Sequence, residues 1–199
     1  TGDSARRIGN EYLFQTMAEQ NLETFEKYKF KKIVTQCPHC FTTLKNDYSE
    51  LGVDLDVVHH SQFIGQLVSE GKIKPKSWMD EDVTYHDACY LGRHNDEYDA
   101  PRDVIQSVMR DGELKEMEQS KEKSFCCGAG GGNMWYEIKT GERINQNRFE
   151  QAAETGATTV ATACNFCNIM MEDGMKVTGN DEKMKVVDIA ELVAQSFTK

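Results

Sequence analysis

The chain has 199 residues, 39% of them hydrophobic and 28% charged, the balance of an ordinary globular protein of one large or two small domains. A net charge of −10 argues against nucleic acid as a partner, because neutralising phosphates needs a basic surface. No apolar run approaches the roughly 18 residues of a membrane span, and the polar residues 1–10, with Arg6 and Arg7, do not read as a secretory signal.

In chain order, Ile33, Val34 and Thr35 form a β-branched run, read as a strand, that feeds Cys37-Pro38-His39-Cys40. A second apolar run at 55–58 precedes a helical pattern carrying Phe63, Ile64, Leu67 and Val68. Residues 70–82 are polar, contain Gly71 and Pro75, and read as a linker. Residues 83–86 read as a short strand leading to Cys89. Pro101 suits the first position of a helix with Val104, Ile105, Val108 and Met109 on one face. Residues 141–154 read as a further helix. Val160, Ala161 and Thr162 then feed Cys164-Asn165-Phe166-Cys167. An apolar run at 185–187 and a helix with Ile189, Leu192, Val193 and Phe197 close the chain, with Asp188 and Glu191 spaced as a capping box.

The two strand–Cys-x-x-Cys segments match at an offset of 127 residues, and each is followed by a second strand and a helix. Alternating strands and helices predict an α/β fold with a mostly parallel sheet, built from two pseudo-repeated units. Residues 1–75 read as the C-terminal part of a first repeat and 80–199 as a complete second one. By the offset, the first counterpart of Cys127 falls just before Thr1, so the chain reads as a fragment. His59 and His60 correspond roughly to Asp188 and Ile189, which points to a helix-start role for them rather than ligation.

Seven cysteines are many for a protein of this size, and the count is odd. Four of them form Cys-x-x-Cys pairs, so metal-bound or redox thiols in a reducing compartment fit better than a disulfide scaffold. Five stand as Cys89, the adjacent pair Cys126 and Cys127, then Cys164 and Cys167, with 36 residues in each long gap. Such a set can surround a metal from three chain segments, and thiolate suits iron or zinc. Zinc takes four ligands, so the fifth cysteine favours iron; buried structural thiols are the plain alternative. Gly128 opens a glycine run, 128–132, that allows positive φ and close backbone approach beside Cys127. No lysine-bearing P-loop follows, and a flexible loop is the rival reading. Cys37-Pro38-His39-Cys40 also matches a thiol–disulfide exchange motif. His86 can hydrogen-bond a cluster or pass a proton to a departing thiolate; a structural histidine on a backbone carbonyl is the other reading. Arg93 either holds a substrate carboxylate or pairs with an acidic neighbour. Trp135 and Tyr136 read as core.

Cys89, Cys126-Cys127-Gly128 and Cys164-Asn165-Phe166-Cys167, with His86-Asp87-Ala88-Cys89-Tyr90-Leu91-Gly92-Arg93 around the first cysteine, resemble the cysteine-rich (CCG) domain family found in the B and D components of heterodisulfide reductase and in related iron–sulfur oxidoreductases. The resemblance covers essentially the whole chain. It implies that Cys89, Cys126, Cys127, Cys164 and Cys167 hold a noncubane 4Fe–4S cluster, with zinc in one copy in some relatives. It further implies electron transfer with other redox subunits or an electron-transferring flavoprotein, and with quinone or a disulfide substrate. Membrane helices would belong to upstream segments, and the setting would be the cytoplasm or the cytoplasmic face of a membrane. Asn165 departs from the proline that Pro38 keeps in the first motif. Cys37 and Cys40, lacking their adjacent pair, cannot complete a cluster and are expected as free thiols, a disulfide or an adventitious metal site. The contrasting class is a zinc-stabilised domain that docks other redox subunits.

Overall fold

A computed structural model of the chain describes residues 1–136 and 140–198. A short helix, α1 (Asp3–Arg7), and a longer one, α2 (Glu11–Phe25), lead in. β1 (Ile33–Thr35) then delivers Cys37 to α3 (Pro38–Thr42), which runs on through a π-helical turn at Thr43–Asp47. β2 (Val57–His59) and α4 (His60–Ser69) complete the first strand–helix–strand–helix series. The second half holds β3 (Val83–Tyr85), α5 (Gly92–Asn95), α6 (Asp99–Gln106), β4 (Leu114–Lys115), α7 (Ile144–Glu154), β5 (Thr159–Thr162), α8 (Asn165–Val177), β6 (Lys185–Asp188) and α9 (Ile189–Gln195).

All strand pairs in these elements are parallel, as the alternating pattern predicts, but they form two sheets rather than one. β1 pairs with β2, Ile33 opposite Val57, and the second sheet runs β4-β3-β5-β6. β3 and β5 are its central strands and are buried along their whole length. Consecutive residues of β5 face opposite sides, so Val160 packs with Phe149 of α7 and with Met171 and Met175 of α8. Ala161 belongs to the other layer, with Val104, Ile105, Ile189 and Leu192. Gly174 lets α8 lie close on α7: a Cβ there would stand 2.6 Å from the Asn145 carbonyl oxygen. The Asn145 amide donates to Met170 O at 3.1 Å and to Asp173 at 2.8 Å, fastening the same contact.

Several predicted details move. α6 begins at Asp99, so Pro101 is its third residue; the first-turn N–H groups have no intrahelical acceptor, and proline is tolerated there. Met109 lies past the end of α6 and bridges to Met79 in parallel fashion. That bridge, with buried Met79 and the Trp78 indole donating to Leu192 O at 3.2 Å, packs the end of the supposed linker into the core. The helix expected over 141–154 starts at Ile144. Asp188 caps α9 by accepting from Ala190 N at 2.8 Å. It is α4 that carries the complete capping box: the His59 ring accepts from Ser61 N, and the Gln62 side chain accepts from His59 N. The helix-start role of His59 and His60 is therefore what the structure contains. Trp135 and Tyr136, expected in the core, are 67% and 74% exposed. Trp135 ends, and Tyr136 follows, a 3-10 turn whose Gly131 and Gly132 take positive φ.

Candidate metal centre

Parallel sheets present functional groups where their strands end at the carboxyl edge, and both motifs of the second half lie there. β3 ends at Tyr85 and continues through His86, whose N–H donates to Ala161 O at 3.0 Å, to Cys89. β5 ends at Thr162 and delivers Cys164 as the N-cap of α8, with Cys167 in the first turn. The third segment, with Cys126 and Cys127, turns sharply at Gly128, whose φ of 89° suits glycine. Its N–H reaches Cys126 Sγ at 3.2 Å.

These segments bring all five predicted cysteines together. Cys89 hydrogen-bonds Cys126, Cys126 pairs with Cys127, Cys127 Sγ lies 3.4 Å from Cys167 Sγ, and Cys167 bonds Cys164. Such contacts split the thiols into acceptors and donors. Hydrogen bonds from Cys127 and Cys89 push Cys126 down to about 2. The Cys167 thiol and the N–H groups of Cys167 and Phe166 hold Cys164 below its ordinary value. Cys127 is pushed up to about 12 by its bond to Cys126, and Cys89 and Cys167 are raised by the same kind of donation and by burial. Thiolate is thus already favoured at two of the five positions, which is the form that binds metal.

His86 joins them. One of its ring nitrogens and the sulfurs of Cys127 and Cys167 all lie within 4.8 Å of one another, and all three residues are buried. The donor chemistry fits a metal: soft sulfurs in excess, one imidazole, and no bulk water at the three innermost groups. Neither sequence reading of His86 named its partner, Arg148, whose Nε–H donates to His86 Nδ1 at 3.0 Å. Burial first, and the Arg148 charge second, push His86 down to about 3. Arg148 itself is completely buried. The signal for it was available, since 145, 148, 149 and 152 form one helical stripe and all four are buried, but two of the four are polar.

Arg93 is the second residue of α5; it is exposed, and its charge is near enough to act on Cys89. Its Nη1 donates to Ser124 O at 2.8 Å, and among the described residues no carboxylate forms an ion pair with it. Cys37 and Cys40 keep to each other rather than joining the five. Cys40, accepting from Cys37, is pushed down to about 6 and also receives the Thr1 hydroxyl at 3.7 Å; Cys37 is raised. His39, between them, donates its Nδ1–H to Asp3 Oδ2 at 2.9 Å, stacks on Tyr90 with centroids 3.9 Å apart, and meets the Phe166 ring edge-on at 5.1 Å. The inner residues of the two Cys-x-x-Cys turns therefore touch. All seven cysteines are free thiols.

Among the described residues no helix is long and apolar enough to cross a membrane. The chain is 44% identical over 196 residues to the probable iron-sulfur-binding oxidoreductase FadF of Bacillus subtilis, covering 98% of this chain and 28% of that protein. It is 46% identical over 199 residues to an EtfAB:quinone oxidoreductase of Syntrophomonas wolfei, covering 96% and 28%. Against one component of the dihydromethanophenazine:CoB--CoM heterodisulfide reductase of Methanosarcina barkeri it is 36% identical over 189 residues, covering 91% and 44%. The chain thus spans less than a third of the first two relatives and under half of the third. A model of the cysteine-rich domain named CCG matches residues 1–45 and 83–172. That match takes in every cysteine of the clustered five, and the chain belongs to the CCG cysteine-rich domain family.

Proposed function

We propose that this chain is a metal-holding domain of an iron–sulfur-type oxidoreductase, with Cys89, Cys126, Cys127, Cys164 and Cys167 as the ligand set and Gly128 shaping its turn. The observation that carries this is the continuous sulfur chain from three segments, with Cys127 and Cys167 at 3.4 Å. Two occupants are to be distinguished. By donor type alone, the His86, Cys127 and Cys167 trio supports the zinc-stabilised docking domain better than the five-thiolate cluster, since zinc takes mixed nitrogen and sulfur donors. The iron–sulfur reading, with a noncubane 4Fe–4S centre, rests on the surplus of thiolates and on relatives described as iron-sulfur-binding and quinone-linked. A cluster would supply one-electron chemistry; the chain's own residues would bind it, exclude water from it and hold hydrogen bonds to its sulfurs.

On the iron–sulfur reading, electrons come from an electron-transferring flavoprotein and pass to quinone or a disulfide through other redox subunits, at the cytoplasm or its membrane face. Residues 80–199 are then the working domain and 1–75 the part of a second one, with Cys37 and Cys40 as its remaining ligand pair. Arg93, exposed beside Cys89, is suited to a substrate carboxylate. Thiol–disulfide exchange at Cys37 and Cys40 keeps one supporting observation, the lowered Cys40 thiol beside a raised Cys37.

The test is iron, zinc and acid-labile sulfide per chain on anaerobically purified protein, with Cys127→Ser in parallel. Iron with matching sulfide, lost in the variant, supports the cluster. Stoichiometric zinc without sulfide overturns it in favour of the docking role. A protein that holds neither metal, loaded or unloaded, removes both readings.

A further inference from the structure

We infer that Arg148 is a positioning residue for His86, holding it as the tautomer with its proton on Nε2, so that the ring offers the Cys127 and Cys167 sulfurs an N–H and not a lone pair. The inference rests on the thiolate centre proposed above and assigns His86 a place in it as hydrogen-bond donor instead of ligand.

The argument is one of donors and acceptors. A guanidinium stays protonated and has no acceptor atom. Its Nε–H points at His86 Nδ1 across 3.0 Å, so Nδ1 must present its lone pair, and a neutral ring then carries its proton on Nε2. The direction is not free to reverse, because the fork is fixed at its other end. Nη1 donates to Gln119 O at 3.0 Å and to the Gln151 side chain at 2.7 Å, and Nη2 donates to Ser124 Oγ at 3.1 Å. A histidine that ligates a metal hands its other ring N–H to an acceptor such as a carboxylate or carbonyl. His86 shows the opposite arrangement: a donor stands behind it.

Charge points the same way. Buried cations need a partner. Arg102, also buried, has two: both Asp87 oxygens and Glu116. Among the described residues no carboxylate forms an ion pair with Arg148, while Asp87 and the thiols of Cys127 and Cys167 are near enough to act on its charge. A buried guanidinium bonded to an imidazole that itself has a ring nitrogen within 4.8 Å of two sulfurs compensates an anionic centre. Hydrogen bonds and positive charge at cluster sulfurs raise a reduction potential.

The experiment combines three readouts on wild-type, His86→Leu, Arg148→Met and Arg148→Lys proteins. The first is metal content: His86→Leu is expected to keep the wild-type stoichiometry of whichever metal is present, and its loss with the fold intact by circular dichroism would make His86 a ligand and overturn the inference. The second, for iron-loaded protein, is the midpoint potential by spectroelectrochemical titration. It is expected to fall in His86→Leu and Arg148→Met and to return towards wild type in Arg148→Lys, which keeps a cation and a donor. An unmoved potential in folded, loaded His86→Leu overturns the inference. The third is the tautomer in metal-free or zinc-bound wild-type protein, read from nitrogen-15 histidine couplings. A proton on Nε2 is expected, and one on Nδ1 overturns the proposal. Because the third readout needs no iron, a protein that proves to hold zinc or no metal fails the functional reading while the tautomer is still decided.

Discussion

The adjacent cysteines share one contact, and each also reaches a different further neighbour: Cys126 reaches Cys89, and Cys127 reaches Cys167. That division was legible in the spacing, which fixed the ligand candidates without any coordinates. Arg148 was not legible in the same way. An arginine among Asn145, Gln146 and Asn147 reads as a solvated face, and its burial goes with the His86, Gln119, Ser124 and Gln151 groups that take up its guanidinium. Single-residue physics also sets a pH dependence. Burial, and then neighbouring His60, push His59 down to about 3. The unfolded chain protonates this histidine below about pH 6.5 while the folded one does not until about pH 3, so acid favours the unfolded state in between. Stability is complete above that window and falls as pH drops through it, by about 1.4 kcal/mol per pH unit for this one group. Denaturant titrations of wild type and His59→Asn between pH 5 and 6.5 check this: the slope in the variant is expected to be shallower by about that amount.

At the scale of elements, each Cys-x-x-Cys was recognisable as a strand end followed by a helix start, because β-branched runs and turn cysteines are local signals. Elements that exist by long-range pairing were not. β4 is two residues long and owes its conformation to β3. α1 is five residues long and is held by Asp3, which contacts Arg7, His39 and Thr43. α2 leaves Tyr12, Leu13 and Met17 exposed, so its apolar positions gave no clean stripe. The division of strands into two sheets follows from pairings that no local pattern encodes. The α7–α8 contact yields a prediction at this scale. Gly174→Val would press a branched side chain onto the Asn145 carbonyl and Phe149. The expected loss is about 2–3 kcal/mol, as for other overpacked cores, measured as a lowered denaturation midpoint with an unchanged slope.

For the whole molecule, the decisive contacts are those that cross between the two halves. His60 Nε2 meets Asp188 Oδ1 at 3.2 Å, joining the start of α4 to the cap of α9, and both groups are buried. Burial opposes the ionised Asp188, but the His60 hydrogen bond and charge, with the Ala190 N–H, together outweigh it and lower its pKa. Replacing His60 with alanine leaves that buried carboxylate with its cap bond to Ala190 N but without its histidine partner. The expected cost is on the order of 3 kcal/mol, and the His60→Ala, Asp188→Asn double variant should lose less than the two single losses combined. Equilibrium unfolding of the four proteins measures the coupling. The sequence suggested two similar halves, and their similarity is what places these helix starts opposite each other; the choice of His and Asp as the pair became visible with the contact itself.

The two tryptophans lie at unlike places. Trp78 fastens the end of the 70–82 segment to Leu192, whereas Trp135 stands in solvent with its ring edge-on to Phe166, inside the second Cys-x-x-Cys. The molecule therefore carries two built-in fluorophores with separate subjects. One reports whether the segment between the halves stays docked on α9; the other, only rings away from the sulfurs, is an optical window on whatever occupies them.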